Sequence, residues 1–95
     1  MPAMFIEREQ RAIDADEWRH AVETAGARLR ADTLDVELRD DDGSWRRILQ
    51  WNGDGAEFSM MTFHRPFIAQ LEAIANALDA RIIDNDGAVY YGRRS

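Results

Sequence analysis

Ninety-five residues, 45% hydrophobic and 32% charged, suit one folded domain near the lower end of the comfortable size range. All twelve strongly basic residues are arginine, cysteine is absent, and His20 and His64 are the only histidines. That inventory excludes a lysine-bearing phosphate loop, a Schiff-base lysine, thiol chemistry and a clustered zinc site, while a net charge of -6 opposes a phosphate backbone.

No nucleic-acid partner and no cofactor are therefore expected. The apolar runs are only a few residues long, so no membrane partner is expected either. Met1 to Glu7 lacks a basic region followed by a long apolar core, so it does not read as a signal peptide. With cysteine missing, the expected compartment is the cytoplasm.

Ala3 to Glu7 reads as a short strand. The next segment reads as a helix start: Ile13 as N′, Asp14 as N-cap, Glu17 as N3 and Trp18 as N4, a capping box with a hydrophobic staple. Trp18, Ala21, Val22 and Ala25 share one face at helical spacing. Gly26 suits the residue just past the end, although Leu29 continues the face and leaves an end near Arg30 open.

Leu34, Val36 and Leu38 alternate with Asp35, Glu37 and Arg39, the pattern of a half-buried strand. A two-residue turn at Asp42-Gly43 would oppose Leu38 with Arg47, Val36 with Leu49 and Leu34 with Trp51. A four-residue loop from Asn52 to Gly55 would oppose Trp51 with Ala56, Leu49 with Phe58 and Arg47 with Met60. Both registers place the same residues of the middle strand on one face. The predicted core face is Leu34, Val36, Leu38, Trp45, Leu49, Trp51, Phe58 and Met60, with Arg47 at its rim.

Pro66 opens a second helix whose apolar stripe is Phe67, Ile68, Leu71, Ile74, Ala75 and Leu78. Ala80 to Ile83 reads as a strand, Asp84 to Gly87 as a turn and Ala88 to Tyr91 as the return strand. The predicted fold is a single α+β domain over residues 1–95. It is a two-layer sandwich of order β-α-β-β-β-α-β-β, mainly antiparallel, with two helices on one face. Two short segments echo each other: Ala25-Gly26-Ala27-Arg28-Leu29 and Leu78-Asp79-Ala80-Arg81-Ile82, each leaving a helix.

The stretch Ala75-Asn76-Ala77-Leu78-Asp79-Ala80-Arg81-Ile82-Ile83-Asp84-Asn85-Asp86-Gly87-Ala88-Val89-Tyr90 resembles the C-terminal helix, strand and Asp-Gly turn of small acidic bacterial domains. Many of these are uncharacterised, and some resemble immunity proteins that neutralise toxins. The resemblance covers under a fifth of the chain. It implies a binding role and carries no catalytic residue across.

No motif supplies chemistry. Placing Asp86-Gly87 at positions five and six of a calcium loop puts Ile82 and Arg93 at positions one and twelve, where carboxylates are required. No metal site is expected. Ser44, Ser59 and Ser95 occupy no nucleophile elbow. His20 falls opposite the apolar face of the first helix. His64, just before the second helix, is the one alternative catalytic candidate.

The helix-free side of the sheet is the more informative feature. There the registers leave Arg46, Ile48, Ser59, Met61 and Phe63, so Arg46, Ile48, Met61 and Phe63 are the predicted interface. Two function classes stay open. One is a non-enzymatic protein-binding or regulatory module acting through this face and an acidic rim, toward a second copy in a homodimer or a basic protein partner. The other is a small hydrolase or isomerase using His64 with an acidic residue.

Overall fold

Seven strands and two helices follow one another through residues 2–92, the part of the chain that this computed structural model describes. They are β1 (Ala3–Glu7), α1 (Ala15–Thr24), β2 (Arg28–Leu29), β3 (Val36–Arg39), β4 (Trp45–Trp51), β5 (Ala56–Ser59), α2 (Phe67–Ala77), β6 (Arg81–Asp84) and β7 (Val89–Tyr91). A short 3-10 turn, Met60–Thr62, follows β5. The strands form one open sheet in the order β2-β3-β4-β5-β1-β6-β7, every neighbouring pair antiparallel. This is the α+β fold expected from the sequence, with one two-residue strand, β2, added after α1.

Local chemistry explains the helix boundaries. The Glu17 N–H donates to Asp14 Oδ1 at 2.8 Å while the Asp14 N–H donates to Glu17 Oε1 at 3.4 Å, a complete capping box. Ile13 and Trp18 beside it are fully buried. At the other end Gly26 adopts φ +73°, a conformation open to glycine, and α1 stops there rather than near Arg30. The Gly26 and Ala27 N–H groups donate to the Glu23 and Val22 carbonyls. Helix α2 ends the same way, with Asp79 at φ 52° and the Asp79 and Ala80 N–H groups on the Asn76 and Ala75 carbonyls. The sequence echo is thus one cap used twice, each time to send the chain into a strand.

Sheet and helices bury one cluster. Met4, Ile6, Val36, Leu38, Leu49, Phe58 and Ile82 supply the strand side, with Trp18, Val22, Phe67, Leu71 and Ile74 from the helices. The Trp18 indole N–H donates to the Leu34 carbonyl at 2.8 Å, so this buried ring is satisfied at both its apolar and polar ends. Gln70 of α2 accepts from the Arg39 N–H and donates to the Arg39 carbonyl, both at 2.8 Å, tying the helix to the end of β3.

The two hairpins that share β4 meet expectation unequally. Trp51 opposes Ala56 across the Asn52 to Gly55 loop, as the sequence predicts. On the other side Val36 opposes Leu49 as predicted, but Glu37, Leu38 and Arg39 oppose Arg47, Arg46 and Trp45. The turn holds three residues, Asp41 to Gly43, rather than two. Its Gly43 takes φ +85° and donates its N–H to the Asp40 carbonyl. The extra residue is absorbed by a bulge at Ile48, which sits between the two registers.

The bulge corrects the predicted core. Cross-strand partners share a face, and Leu38 is fully buried, so its neighbours Glu37 and Arg39 point to the helix-free side. Trp45 and Arg47 pair with them and point there too. Trp45 is therefore not a core residue. Leu34, at φ 63°, Trp51 and Met60 are half-buried and pack against the core's margin, while Trp18 is the tryptophan at its centre. Trp51 stacks on Trp18 with ring centroids 5.2 Å apart.

Candidate interaction face

The pairing register defines the helix-free face residue by residue. One row across the sheet is Gln50, Glu57, Phe5, Ile83 and Val89. Ser59 and Ala3 pair in the row beneath it, with Ile48 beside them, and Glu7 and Arg81 pair in the row above. Ile83 is 8% exposed yet lies outside the helix-side cluster, packed between its partners Phe5 and Val89. Phe5, Val89 and Ile48 are half-buried. Ile48 opens onto a shallow groove shared with Pro2, Ala3, Gln50 and Glu57.

Beyond Ile48 the face turns basic and aromatic. The Arg28 and Arg39 guanidinium carbons lie 5.7 and 5.4 Å from the Trp45 ring centroid, within cation–π range. Arg28 also pairs with Glu37 at 3.3 Å. The exposed Arg39 and Arg47 side chains make no ion pair among the described residues. Arg39 and Arg47 thus stand beside a half-buried tryptophan, with Glu37 across from Arg47 and the Asp40 to Asp42 turn next to Arg39.

The antiparallel order also sorts the turns. The β3–β4 turn with Asp40, Asp41 and Asp42 and the β6–β7 turn with Asp84 and Asp86 leave the same end of the sheet. The 3-10 turn leaves from that end as well. Arg46 hydrogen-bonds Asp40 and lies 3.8 Å from Asp42. This pairing holds the Asp40 carboxyl below its ordinary range, and hydrogen bonds from Ser44 do the same for Asp42. Asp84 accepts from the Ala88 and Asp86 N–H groups and from the Tyr90 hydroxyl, and these lower its pKa. The aspartate clusters therefore serve their turns. Among the described residues no group of three or more His, Cys, Asp or Glu is arranged to hold a metal ion.

The predicted interface residues divide. Ile48, the bulge residue, lines the shallow groove on the helix-free face and also packs against the core cluster. Strand β5 ends at Ser59, so Met61 and Phe63 leave the strand alternation. Met61 sits in the 3-10 turn, 68% exposed, and Phe63 packs against Phe58 and Tyr90 with centroids 6.1 and 5.8 Å away. Arg46 pairs across with the core-facing Leu38 and turns to the Asp40 side. The four do not form one patch. Phe5, Ile83, Val89, Arg39, Trp45 and Arg47 occupy the face instead. Strand alternation could have found Phe5 in β1 and Ile83 in β6, to which Val89 of β7 pairs.

His64 is exposed. Its Nδ1 lies 2.6 Å from the Arg65 carbonyl oxygen and its ring meets Phe67 edge-on. His20 is exposed on α1. Ser44 and Ser59 bond within turns, while Ser95 and Arg93 lie outside the described residues.

One electrostatic feature escaped the sequence reading. Arg8, its side chain 8% exposed, makes a bidentate pair with Glu17 at 2.8 and 2.6 Å, and donates also to the Ala12 and Leu78 carbonyls. The Arg8 guanidinium holds the Glu17 carboxyl down to about 2. Glu17 thereby joins α1 to the segment after β1, and Arg8 reaches on to the end of α2. Beside it a polar groove of about 470 Å³ is lined by Glu7, Arg8, Asn76, Asp79 and Arg81. Arg81 is engaged by Glu7 and Glu9 at 3.2 and 3.5 Å, while the buried Nε atoms of Arg8 and Arg81 have no hydrogen-bond partner among the described residues.

The chain matches no family model, and no curated protein or solved structure matches it. No helix among the described residues is long and apolar enough to cross a membrane.

Proposed function

We propose that this protein is a non-enzymatic, protein-binding or regulatory module, immunity-like in acting by occupancy, that engages its partner through the helix-free sheet face. One observation carries this reading. Phe5, Ile83 and Val89 form an apolar row on a face that neither helix covers, with Ile48 at its side, bordered by Arg39 and Arg47, which make no ion pair among the described residues, and by acidic turns. An apolar centre with a charged border is how recognition surfaces combine affinity with orientation. The acidic end suits contact with a basic partner.

The competing reading, a hydrolase or isomerase built on His64, needs a carboxylate or nucleophile beside the imidazole. The contacts of His64 are a carbonyl oxygen and a phenyl ring, and nothing in them favours that chemistry.

The test compares the parent with Ile48→Glu, each immobilised and exposed to extract of the native host. A protein retained by the parent and released by the folded variant supports the reading. Equal retention by both contradicts it.

A further inference from the structure

We propose that Asn52-Gly53, in the loop between β4 and β5, is a site of spontaneous, backbone-assisted deamidation. The site acts without any partner at the helix-free face.

The chemistry needs only the chain and water. The Gly53 backbone N–H gives up its proton, and the nitrogen attacks Cγ of the Asn52 side chain. The new N–C bond closes a cyclic imide as the Cγ–Nδ2 bond breaks. The side-chain nitrogen takes up the proton and leaves as ammonia. Water then opens the imide. Cleavage of the bond to Cγ leaves aspartate at position 52. Cleavage of the bond to the main-chain carbonyl leaves an isoaspartyl link, in which the chain continues through the side chain. Nothing is oxidised or reduced. Glycine favours the closure, because without a Cβ its nitrogen is unhindered and its backbone is free to turn.

The fold singles out this pair. Asn52 and Gly53 are both exposed, and Gly53 takes φ +93° with nothing within 4 Å of the position a Cβ would occupy. Among the described residues the Gly53 N–H makes no hydrogen bond. The Asn52 amide is held only by a long bond from Nδ2 to Glu57 Oε1, at 3.4 Å. The three Asp-Gly pairs differ. Asp42, Asp54 and Asp86 carry carboxylates, which resist attack when ionised and have no amine to lose. The Gly43 and Gly87 N–H groups are tied to the Asp40 and Asp84 carbonyls at 3.0 and 3.1 Å. Gly55 is buried, its Cβ position only 2.7 Å from the Ile6 carbonyl oxygen. The other asparagines are hindered too. Asn76 lies within α2, and Asn85 precedes Asp86, whose N–H donates to Asp84 Oδ1 at 2.9 Å.

The products differ in what they do to the loop. The Asn52 N–H closes it on the Gly55 carbonyl at 2.9 Å, and the Asp54 carbonyl accepts from the Ile13 N–H at 3.0 Å, which ties the loop to the entry of α1. An isoaspartyl link adds a main-chain carbon inside that closure. Aspartate keeps the backbone, but it cannot donate to Glu57 and sets two carboxylates together.

The test incubates the full chain, folded, at mildly alkaline pH and maps its peptides by mass spectrometry, with enzymatic methylation to detect isoaspartate. The parent should show the mass change of amide-to-acid conversion at Asn52 several-fold faster than at Asn76 or Asn85, as a mixture of aspartate and isoaspartate. Asn52→Gln, which would need a larger ring, should show no conversion at that position. The isoaspartyl fraction should melt below Asn52→Asp, since only the former carries the lengthened chain. A parent left unconverted at Asn52, while the same chain unfolded in urea converts there, overturns the proposal. So does conversion to aspartate alone, which would bypass the imide.

Discussion

The two faces of this sheet are built to different ends. On the helix side Met4, Ile6, Leu38 and Ile82 are fully buried in one cluster with residues of both helices. On the other side Phe5, Ile48 and Val89 stay half-buried, and arginines lie over an aromatic ring instead of over a second layer. Substitutions on the first face should be read as stability, and those on the second as association. The tryptophans make the contrast measurable, because Trp18 and Trp45 belong to opposite faces.

The largest effect is expected at Trp18. Truncating a buried aromatic costs about 3–5 kcal/mol, a large share of what a small domain has. Trp18→Ala also strands the Leu34 carbonyl, so it should be largely unfolded in a denaturant titration. Trp51→Ala, at the half-buried partner in the stack, should fold and lose about 1.5–3 kcal/mol. A Trp51 variant as damaged as the Trp18 variant would move the centre of the core.

Acid should act next, through the Arg8–Glu17 pair. A carboxyl lowered from its ordinary value of 4.5 to about 2 contributes stability that is complete above the ordinary value and is lost as pH falls toward 2. Glu17→Gln should therefore lower the melting temperature near neutral pH and flatten its decline in acid. Parallel parent and variant curves between pH 5 and pH 2, each on the order of the unperturbed carboxylate range, would show the pair to be inert.

The smallest effects belong to the open face and to metal. Trp45→Ala should change stability by no more than about 0.5 kcal/mol while weakening association. A loss comparable to that of Trp51→Ala would return Trp45 to the core. Excess chelator should leave the melting temperature unchanged, and a drop reversed by one divalent ion would revive the aspartate clusters as ligands.

How far the sequence leads depends on the kind of signal. The capping box at Asp14 and Glu17, the stop at Gly26 and the apolar stripe of α2 are local, and all are present in the fold. The β4–β5 register was equally legible, because the Asn52 to Gly55 loop leaves Trp51 facing Ala56. The β3–β4 register was legible only up to Leu49. Asp42-Gly43 reads as a two-residue turn, while a three-residue turn with Gly43 in the left-handed region uses the same letters. One residue of difference reverses the face of everything between turn and bulge, and so carried Trp45 outward. Arg8 and Glu17 pair through a chain reversal that no periodicity encodes. Two arginines shortly before a helix with glutamate at N3 were the only hint. Met61 and Phe63 were misplaced because nothing in Ser59-Met60-Met61-Thr62 announces that the strand ends in a 3-10 turn.

Backbone amide chemical shifts followed while the host protein retained by the parent is titrated in test most directly whether the helix-free face is the binding face. Partner-dependent shifts are expected in β4, β1, β6 and β7 and around Trp45, with the outer surfaces of α1 and α2 unmoved. Shifts centred on the helices, or a spectrum unchanged over the whole titration, would contradict that assignment.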